Sequence, residues 1–318
     1  NIIISCLSII LVHKILKSIA SIMTTKIGTS LYAFEPLSIS LIYYVLPQIL
    51  FQFLIFLIIM FSLRIINNHF SSNNWFILGL LLSFSSIVKP VSFYLILPFY
   101  FGVFCFLIVR KIHFLSIIKY LSFVSIPLII IVGGWLFRNY LITGNLLISH
   151  IQALDLFYFK APAVLSIKED IPFEQARVEI VGERDVWPWI LKNPRSNEIL
   201  ELEKIGKDIL INNPLITGKI IIEGIINTLF SPGDGQFYSV LGKGHIKAGP
   251  LGDLFRLNLR EFYDVWVLKE TLLFILFILF SIYLVIIYVG LLGYITNYFS
   301  KGFELWVHLF LTLTLFYF

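Results

Sequence analysis

The chain has 318 residues, of which 58% are hydrophobic and 14% charged, and its mean hydropathy is +0.90. One soluble core cannot bury that much apolar surface, so the composition excludes an ordinary soluble domain and indicates a membrane protein. The net charge of +5 does not indicate a nucleic-acid partner, because the basic residues form no stripe with interleaved aromatic residues.

Long apolar runs recur along the chain and predict an all-α polytopic membrane protein. We expect a transmembrane bundle of about six helices over residues 1–137, an extracytoplasmic loop region with amphipathic helices over residues 138–265, and C-terminal transmembrane helices over residues 266–318. Because the chain starts and stops at apolar runs, we expect a fragment truncated at both ends. The runs cover residues 2–13, 18–34, 41–63, 75–88, 91–109, 117–137, 266–289 and 304–318.

The distribution of charge predicts the orientation of the chain. Residues 138–265 hold 14 basic and 16 acidic residues, whereas the rest of the chain holds 10 basic and 3 acidic residues. If the first run ends in the cytoplasm, the positive-inside rule is satisfied, and residues 138–265 lie outside the cytoplasmic membrane. Among the short connections, the outer ones then hold only Lys89, and the cytoplasmic ones hold Lys14, Lys17, Arg64, Arg110, Lys111, Lys119 and Lys301.

Two consecutive helices are predicted within the loop region. The first begins at Asn193-Pro194 and ends at Asn213-Pro214, because these pairs supply start and stop signals. The second run, residues 215–230, is apolar except for Lys219 and Glu223, and it either lies on the membrane surface or packs against the bundle. The predicted apolar face of the first helix consists of Ile199, Leu202, Ile205 and Ile209.

Two basic residues are candidate binding residues, since Lys89 and Arg138 both lie at predicted outer ends of helices. A charge at that position is costly unless it snorkels to water or meets an anion. The two residues therefore predict either simple snorkelling or a site for a lipid phosphate, to which arginine offers two donors in one plane. Glu35, on the same predicted side, is either a carboxylate partner or a solvated residue.

No cofactor is assigned from the sequence. The six histidines show no ligand spacing and no Asp-x-Asp pair occurs, so the sequence supports neither a multi-histidine metal site nor a metal-dependent nucleotide-sugar enzyme. A divalent metal held by one histidine and carboxylates remains an open alternative.

Several short motifs occur in a fixed order along the chain. With these motifs the chain resembles the polytopic bacterial family 39 type glycosyltransferases, relatives of protein O-mannosyltransferases and aminoarabinose transferases. The resemblance extends over nearly the whole chain and implies a GT-C-like helix bundle with one large extracytoplasmic loop region. The motifs are Val88-Lys89-Pro90, Trp135-x-x-Arg138-Asn139-Tyr140-x-x-x-Gly144, Asn213-Pro214 and Ser231-Pro232-Gly233.

The resemblance implies an enzyme that moves a sugar, with inversion, from a polyprenyl-phosphate donor to a lipid, glycan or protein acceptor on the extracytoplasmic face. It implies a donor-phosphate role for Lys89 and Arg138, with Asn139 and Tyr140 as orienting neighbours. The family often has arginine where this chain has Lys89.

The resemblance also bears on acidic residues. In such enzymes the general base is an acidic residue of the first extracytoplasmic loop, which would precede Asn1, so no catalytic base is assigned. The third helix often carries an acidic residue where this chain has Pro47-Gln48. Gln48 keeps hydrogen bonding but cannot act as a base.

Two other functions fit the same topology. A transporter or flippase of lipid-linked saccharides would use the same outer cations without forming a product, although the membrane runs hold few charges and show no broken-helix pair in two halves. A glycan polymerase or ligase would use a lipid-linked oligosaccharide as its donor. All three functions require contact with membrane lipids.

Overall fold

The computed structural model describes residues 1–35, 38–39, 47–67, 70–183, 197–230 and 259–299. These residues form helices and no strand, which confirms the all-α prediction for the described chain. Five of the described helices are long and apolar enough to cross a membrane: Ile2–Ile19, Gln48–Ile66, Val91–Val109, Phe114–Thr143 and Thr271–Gly290.

The chain divides into two compact units. The first unit comprises Asn1–Val132 and Ser231–Phe318, and the second comprises Gly133–Phe230. The described helices of the first unit are α1 (Ile2–Ile19), α2 (Ile22–Ala33), α3 (Gln48–Ile66), α4 (Ser72–Val88), α5 (Val91–Val109), the first part of α6 (Phe114–Thr143), α12 (Leu259–Phe262), a π-helical segment (Tyr263–Lys269) and α13 (Thr271–Phe299).

Sequential helices pack side by side in the first unit. Helix α1 contacts α2 and α3, α3 contacts α4, and α4 contacts α5. Short connections make consecutive helices antiparallel neighbours, and Ser21 and Ser71 cap the helices that follow them. From the other end of the chain, the hydroxyl of Tyr283 on α13 donates a 2.9 Å hydrogen bond to the carbonyl of Leu31 on α2.

Helix α4 approaches α6 closely at Gly79. A Cβ added at this glycine would lie 2.4 Å from the carbonyl oxygen of Val124. The aromatic rings of Trp75 and Tyr120 stack beside this contact, with centroids 5.3 Å apart. Small residues let membrane helices approach at the backbone, so Gly79 allows this close crossing.

The second unit contains the last part of α6 and several shorter helices. These are α7 (Ile151–Leu154), a π-helical segment (Asp155–Lys160), α8 (Ala161–Glu169), α9 (Phe173–Val181), α10 (Asn197–Asn212) and α11 (Pro214–Phe230). The core of the unit consists of Ala153, Leu154, Phe157, Val181, Ile199 and Leu202. A Cβ on Gly206 of α10 would lie 3.2 Å from the backbone nitrogen of Phe157, so α10 crosses the π-helical segment at this glycine.

Several sequence predictions differ from the structure. The predicted runs 2–13 and 18–34 are divided at a different point, because α1 extends to Ile19 and α2 begins at Ile22. The predicted run 117–137 continues to Thr143, because the helix ends only at Gly144, whose φ of +78° suits glycine. The predicted run 266–289 spans two elements, since α13 begins at Thr271 and the preceding residues are π-helical. On the predicted apolar face of α10, Ile205 is 46% exposed, whereas the neighbouring Gly206 is buried.

Other predictions fall outside the described residues. These are the helix start at Asn193-Pro194, the motif Ser231-Pro232-Gly233, the first part of the run 41–63 and the final run 304–318. The predicted end of the amphipathic helix at Asn213-Pro214 is confirmed, since α10 ends at Asn212 and the Asn213 side-chain amide donates to the carbonyl of Ile209 at 2.7 Å.

Candidate functional site

The guanidinium group of Arg138 is held by two neighbours on α6. Its Cζ lies 4.8 Å from the centroid of the Trp135 ring, one helical turn earlier, in a cation–π contact. Its Nη1 donates a 2.9 Å hydrogen bond to Oδ1 of Asn139. The ring and the carboxamide therefore fix the guanidinium from two directions. We call Trp135, Arg138 and Asn139 the arginine bracket.

The residues that follow α6 stabilise the arginine bracket through hydrogen bonds. Asn139 is only 9% exposed, and its Nδ2 donates to the carbonyls of Leu147 and Ile148 at 2.8 and 3.1 Å. The indole nitrogen of Trp135 donates to the same Ile148 carbonyl at 3.0 Å. Because Trp135 and Asn139 are four residues apart, they share one helix face. Together they hold the chain around Leu147 and Ile148, which we call the returning chain, against that face.

A tight turn at the end of α6 brings the chain back. Gly144 adopts a left-handed conformation and donates its N–H to the carbonyl of Tyr140 at 2.8 Å. The hydroxyl of Thr143 donates to the carbonyl of Asn139 at 2.8 Å and accepts from the N–H of Asn145 at 3.2 Å. The bracket therefore depends on a turn encoded a few residues beyond it.

The charge of Arg138 is not neutralised within the described chain. Arg138 is exposed, and none of the carboxylates in the described residues pairs with it. Arg177 in the same unit provides a contrast: its Cζ also lies 4.8 Å from an aromatic centroid, that of Tyr158, but Glu174 forms an ion pair with it. The Arg138 guanidinium is therefore available to an external anion.

Tyr140 does not join the bracket. Its side chain is 48% exposed, and within the described residues its hydroxyl forms no hydrogen bond. An orienting role for Tyr140 stays a prediction, whereas the contact between Asn139 and Arg138 is present in the structure.

Lys89 lies in the first unit, at the C-terminal end of α4. Its Nζ lies 5.2 Å from the centroid of the Phe51 ring on α3, and its N–H donates to the carbonyl of Ser85 at 2.9 Å. Burial lowers the pKa of the Lys89 ammonium, because desolvation disfavours its charged form. No ion pair forms between Lys89 and any carboxylate of the described chain.

Gln48 and Glu35 lie near the same end of the first unit. Gln48 precedes Phe51 by one helical turn, and its side-chain oxygen is buried without a hydrogen-bond donor among the described residues. Glu35 accepts a hydrogen bond from the N–H of Ser38, whose hydroxyl lies 3.5 Å from the side-chain oxygen of Gln52. This hydrogen bond is local, and a role of Glu35 as a carboxylate partner stays a prediction.

Lys89 and Arg138 belong to different units, so their convergence on one ligand stays a prediction. Comparisons with known proteins give no further assignment. No family model, curated protein or solved structure matches the chain.

One residue with an unusual environment was not singled out from the sequence. His150 follows the returning chain, and both of its ring nitrogens are buried without a hydrogen bond among the described residues. Desolvation lowers the pKa of His150, and the negative charge of Glu203 on α10 partly opposes this shift. Glu203 itself pairs with Lys207. No local signal could identify His150, because its neighbour lies far along the chain.

Metal ligands do not gather in the described part of the chain. No three His, Cys, Asp or Glu side chains there lie close enough together to hold a metal ion. The residues that the structure brings together are a cation, an aromatic ring and a carboxamide, which suit the binding of an anionic oxygen group.

Proposed function

We propose that the protein is a membrane glycosyltransferase with a GT-C-like architecture. It transfers a sugar, with inversion, from a polyprenyl-phosphate donor to an acceptor on the extracytoplasmic face of the cytoplasmic membrane. The observation that carries this proposal is the arginine bracket, which holds a guanidinium near the end of a 30-residue apolar helix. No carboxylate of the described residues pairs with this guanidinium. A lipid-linked phosphate places its anion at the edge of the membrane and its tail among apolar side chains.

The guanidinium acts on the leaving group in this proposal. The acceptor hydroxyl oxygen forms a bond to the anomeric carbon as the bond from that carbon to the phosphate oxygen breaks, and the electron pair stays on the lipid phosphate. A base, which we do not assign to a residue, takes the hydroxyl proton. Arg138 stabilises the charge that develops on the phosphate, and fixing it beforehand removes the cost of reorienting it.

The cluster around Lys89 provides a second cationic group in this proposal. Lys89 is a compact point charge held over Phe51, and nearby Gln48 has an acceptor oxygen to which no group of the described residues donates. An ammonium and a carboxamide suit a ligand that carries both a phosphate and sugar hydroxyl groups. We assign contacts with the lipid-linked donor to this cluster.

The test is equilibrium binding of a short-chain polyprenyl phosphate to purified protein in detergent micelles. Arg138→Ala removes charge-assisted hydrogen bonds worth about 1.5–3 kcal/mol, so affinity should fall about tenfold to a hundredfold. Arg138→Lys keeps the charge but loses the planar donor pair, so its affinity should be intermediate.

Arg177→Ala is the matched control, because Arg177 contacts an aromatic ring at the same distance but is already paired with Glu174. It should leave phosphate affinity unchanged. Equal affinities for wild type and Arg138→Ala, with both proteins folded, would remove Arg138 from the donor site and with it the main support for the proposal.

A further inference from the structure

Helix α11 has one packed side and one exposed apolar side. It contacts α8 and α10 within the second unit, and Ile216 and Ile220 on its packed side are partly buried. The exposed side carries Leu215, Ile221, Ile222, Ile225 and Ile226, which are 88%, 48%, 58%, 40% and 43% exposed. At 100° per residue these five side chains form one continuous arc of the helix surface, which we call the isoleucine arc.

Charge occurs only at the edge of this arc. Lys219 and Glu223 are one turn apart, lie 3.9 Å apart as an exposed ion pair, and follow the arc on one side. A lysine in this position can lay its aliphatic stem on an apolar phase while its ammonium stays in water. An apolar arc bordered by one lysine is typical of a helix that lies in a membrane interface.

The chain itself supplies the apolar phase for this surface. The second unit begins at Gly133, inside a helix that starts at Phe114 and is apolar enough to cross a membrane, so this unit is covalently tethered to a bilayer. Tethering makes docking effectively intramolecular, so a modest apolar surface suffices. The sharp bend of 100° between α10 and α11 at Asn213 separates the charged helix from the apolar one.

We propose that α11 docks its isoleucine arc onto the lipid surface of the membrane that holds the chain. The helix then lies parallel to the membrane plane with Lys219 and Glu223 at the water boundary. Docking fixes the second unit, which carries the arginine bracket, against the lipid headgroups. The inference depends on the exposed arc and the tether, and it holds whether or not the protein transfers sugars.

The test uses single cysteines labelled with an environment-sensitive fluorophore in the whole protein, reconstituted in phosphatidylcholine vesicles. The native thiols, Cys6 and Cys105, are first replaced by serine. Labels at Ile222→Cys and Ile226→Cys should show a blue-shifted emission and lose fluorescence to lipids that carry a nitroxide on their acyl chains. A label at Glu223→Cys should instead be quenched by iodide in the water.

Two results would overturn the proposal. Iodide quenching at positions 222 and 226 equal to that at 223 would show that the arc faces water. Protection of 222 and 226 from both iodide and nitroxide lipids would show that protein covers the arc. Ile225→Cys repeats the measurement within the arc, so a failure of one variant to fold leaves the test intact.

Discussion

Replacing Asn139 by leucine tests whether the arginine bracket is held by the returning chain. Leucine has a similar volume but removes the donor to the Leu147 carbonyl and the acceptor for Arg138, while Trp135 still serves the Ile148 carbonyl. Leaving a fully buried carbonyl without a donor costs about 1–3 kcal/mol, and the Leu147 carbonyl is only partly buried, so we expect the second unit to lose about 1 kcal/mol of stability.

Replacing Asn139 by aspartate should separate the structural role of residue 139 from the effect of the positive charge on Arg138. Its carboxylate strengthens the contact with Arg138 but points a negative oxygen at the carbonyls of Leu147 and Ile148, so stability still falls. The carboxylate also neutralises the guanidinium, so Asn139→Asp should weaken binding of polyprenyl phosphate at least as much as Asn139→Leu does.

The assay combines thermal unfolding in detergent with equilibrium binding of the lipid phosphate. Asn145→Ala is the control, since the side-chain amide of Asn145 makes only a 3.4 Å contact with the Thr143 carbonyl and none with Arg138. It should change both quantities less than either Asn139 variant. Phosphate affinity that Asn139→Asp leaves at the wild-type value would refute the reasoning, because a neutralised guanidinium cannot bind the anion as before.

Three further predictions concern other parts of the chain. Gly79→Ala places a methyl group against the α6 backbone and should lower stability by about 1–3 kcal/mol, whereas Gly133→Ala, with open space around it, should not; thermal melting distinguishes them. Burial lowers the folded-state pKa of His150 from its usual value near 6.5, so stability should decline as the pH falls below about 6.5. His150→Gln should therefore reduce the dependence of Tm on pH between about pH 5 and 8. Phe51→Leu removes the ring beneath Lys89 and should weaken phosphate binding by about 0.5–2 kcal/mol, or about twofold to thirtyfold. An unchanged affinity would exclude the Lys89 cluster from the donor site.

The sequence predicted the membrane helices well where strong signals bound the apolar run. The predicted run 91–109 coincides with α5, because Pro90 precedes it and Arg110 follows it. The prediction from sequence was less accurate where the close approach of two backbones requires glycine rather than a larger hydrophobic residue. Periodicity placed Ile205 on the apolar face of α10, but the close approach to the π-helical segment is centred on Gly206, which has no side chain to obstruct it, and Ile205 stays exposed.

The arginine bracket was only partly predictable. Arg138 lies one helical turn after Trp135, so the contact between these two side chains follows from the sequence once the helix is extended past residue 137. Adjacent residues of a helix do not face each other, so the contact between Arg138 and Asn139 does not follow from the spacing. The hydrogen bonds to Leu147 and Ile148 depend on a reversal of the chain, which only the Thr143-Gly144 turn indicates. The burial of His150 next to Glu203 depends on tertiary packing and has no local signature.

Phosphorus NMR of a polyprenyl-phosphate-linked sugar, incubated with the protein in vesicles together with membrane acceptors, tests the central claim most directly. Sugar transfer converts the donor phosphodiester into a phosphomonoester, and the two give separate signals. We predict that the monoester signal grows with wild-type protein and with Arg177→Ala, and much more slowly with Arg138→Ala. A donor that crosses the vesicle membrane while its phosphodiester stays intact would contradict the transferase and indicate a transporter.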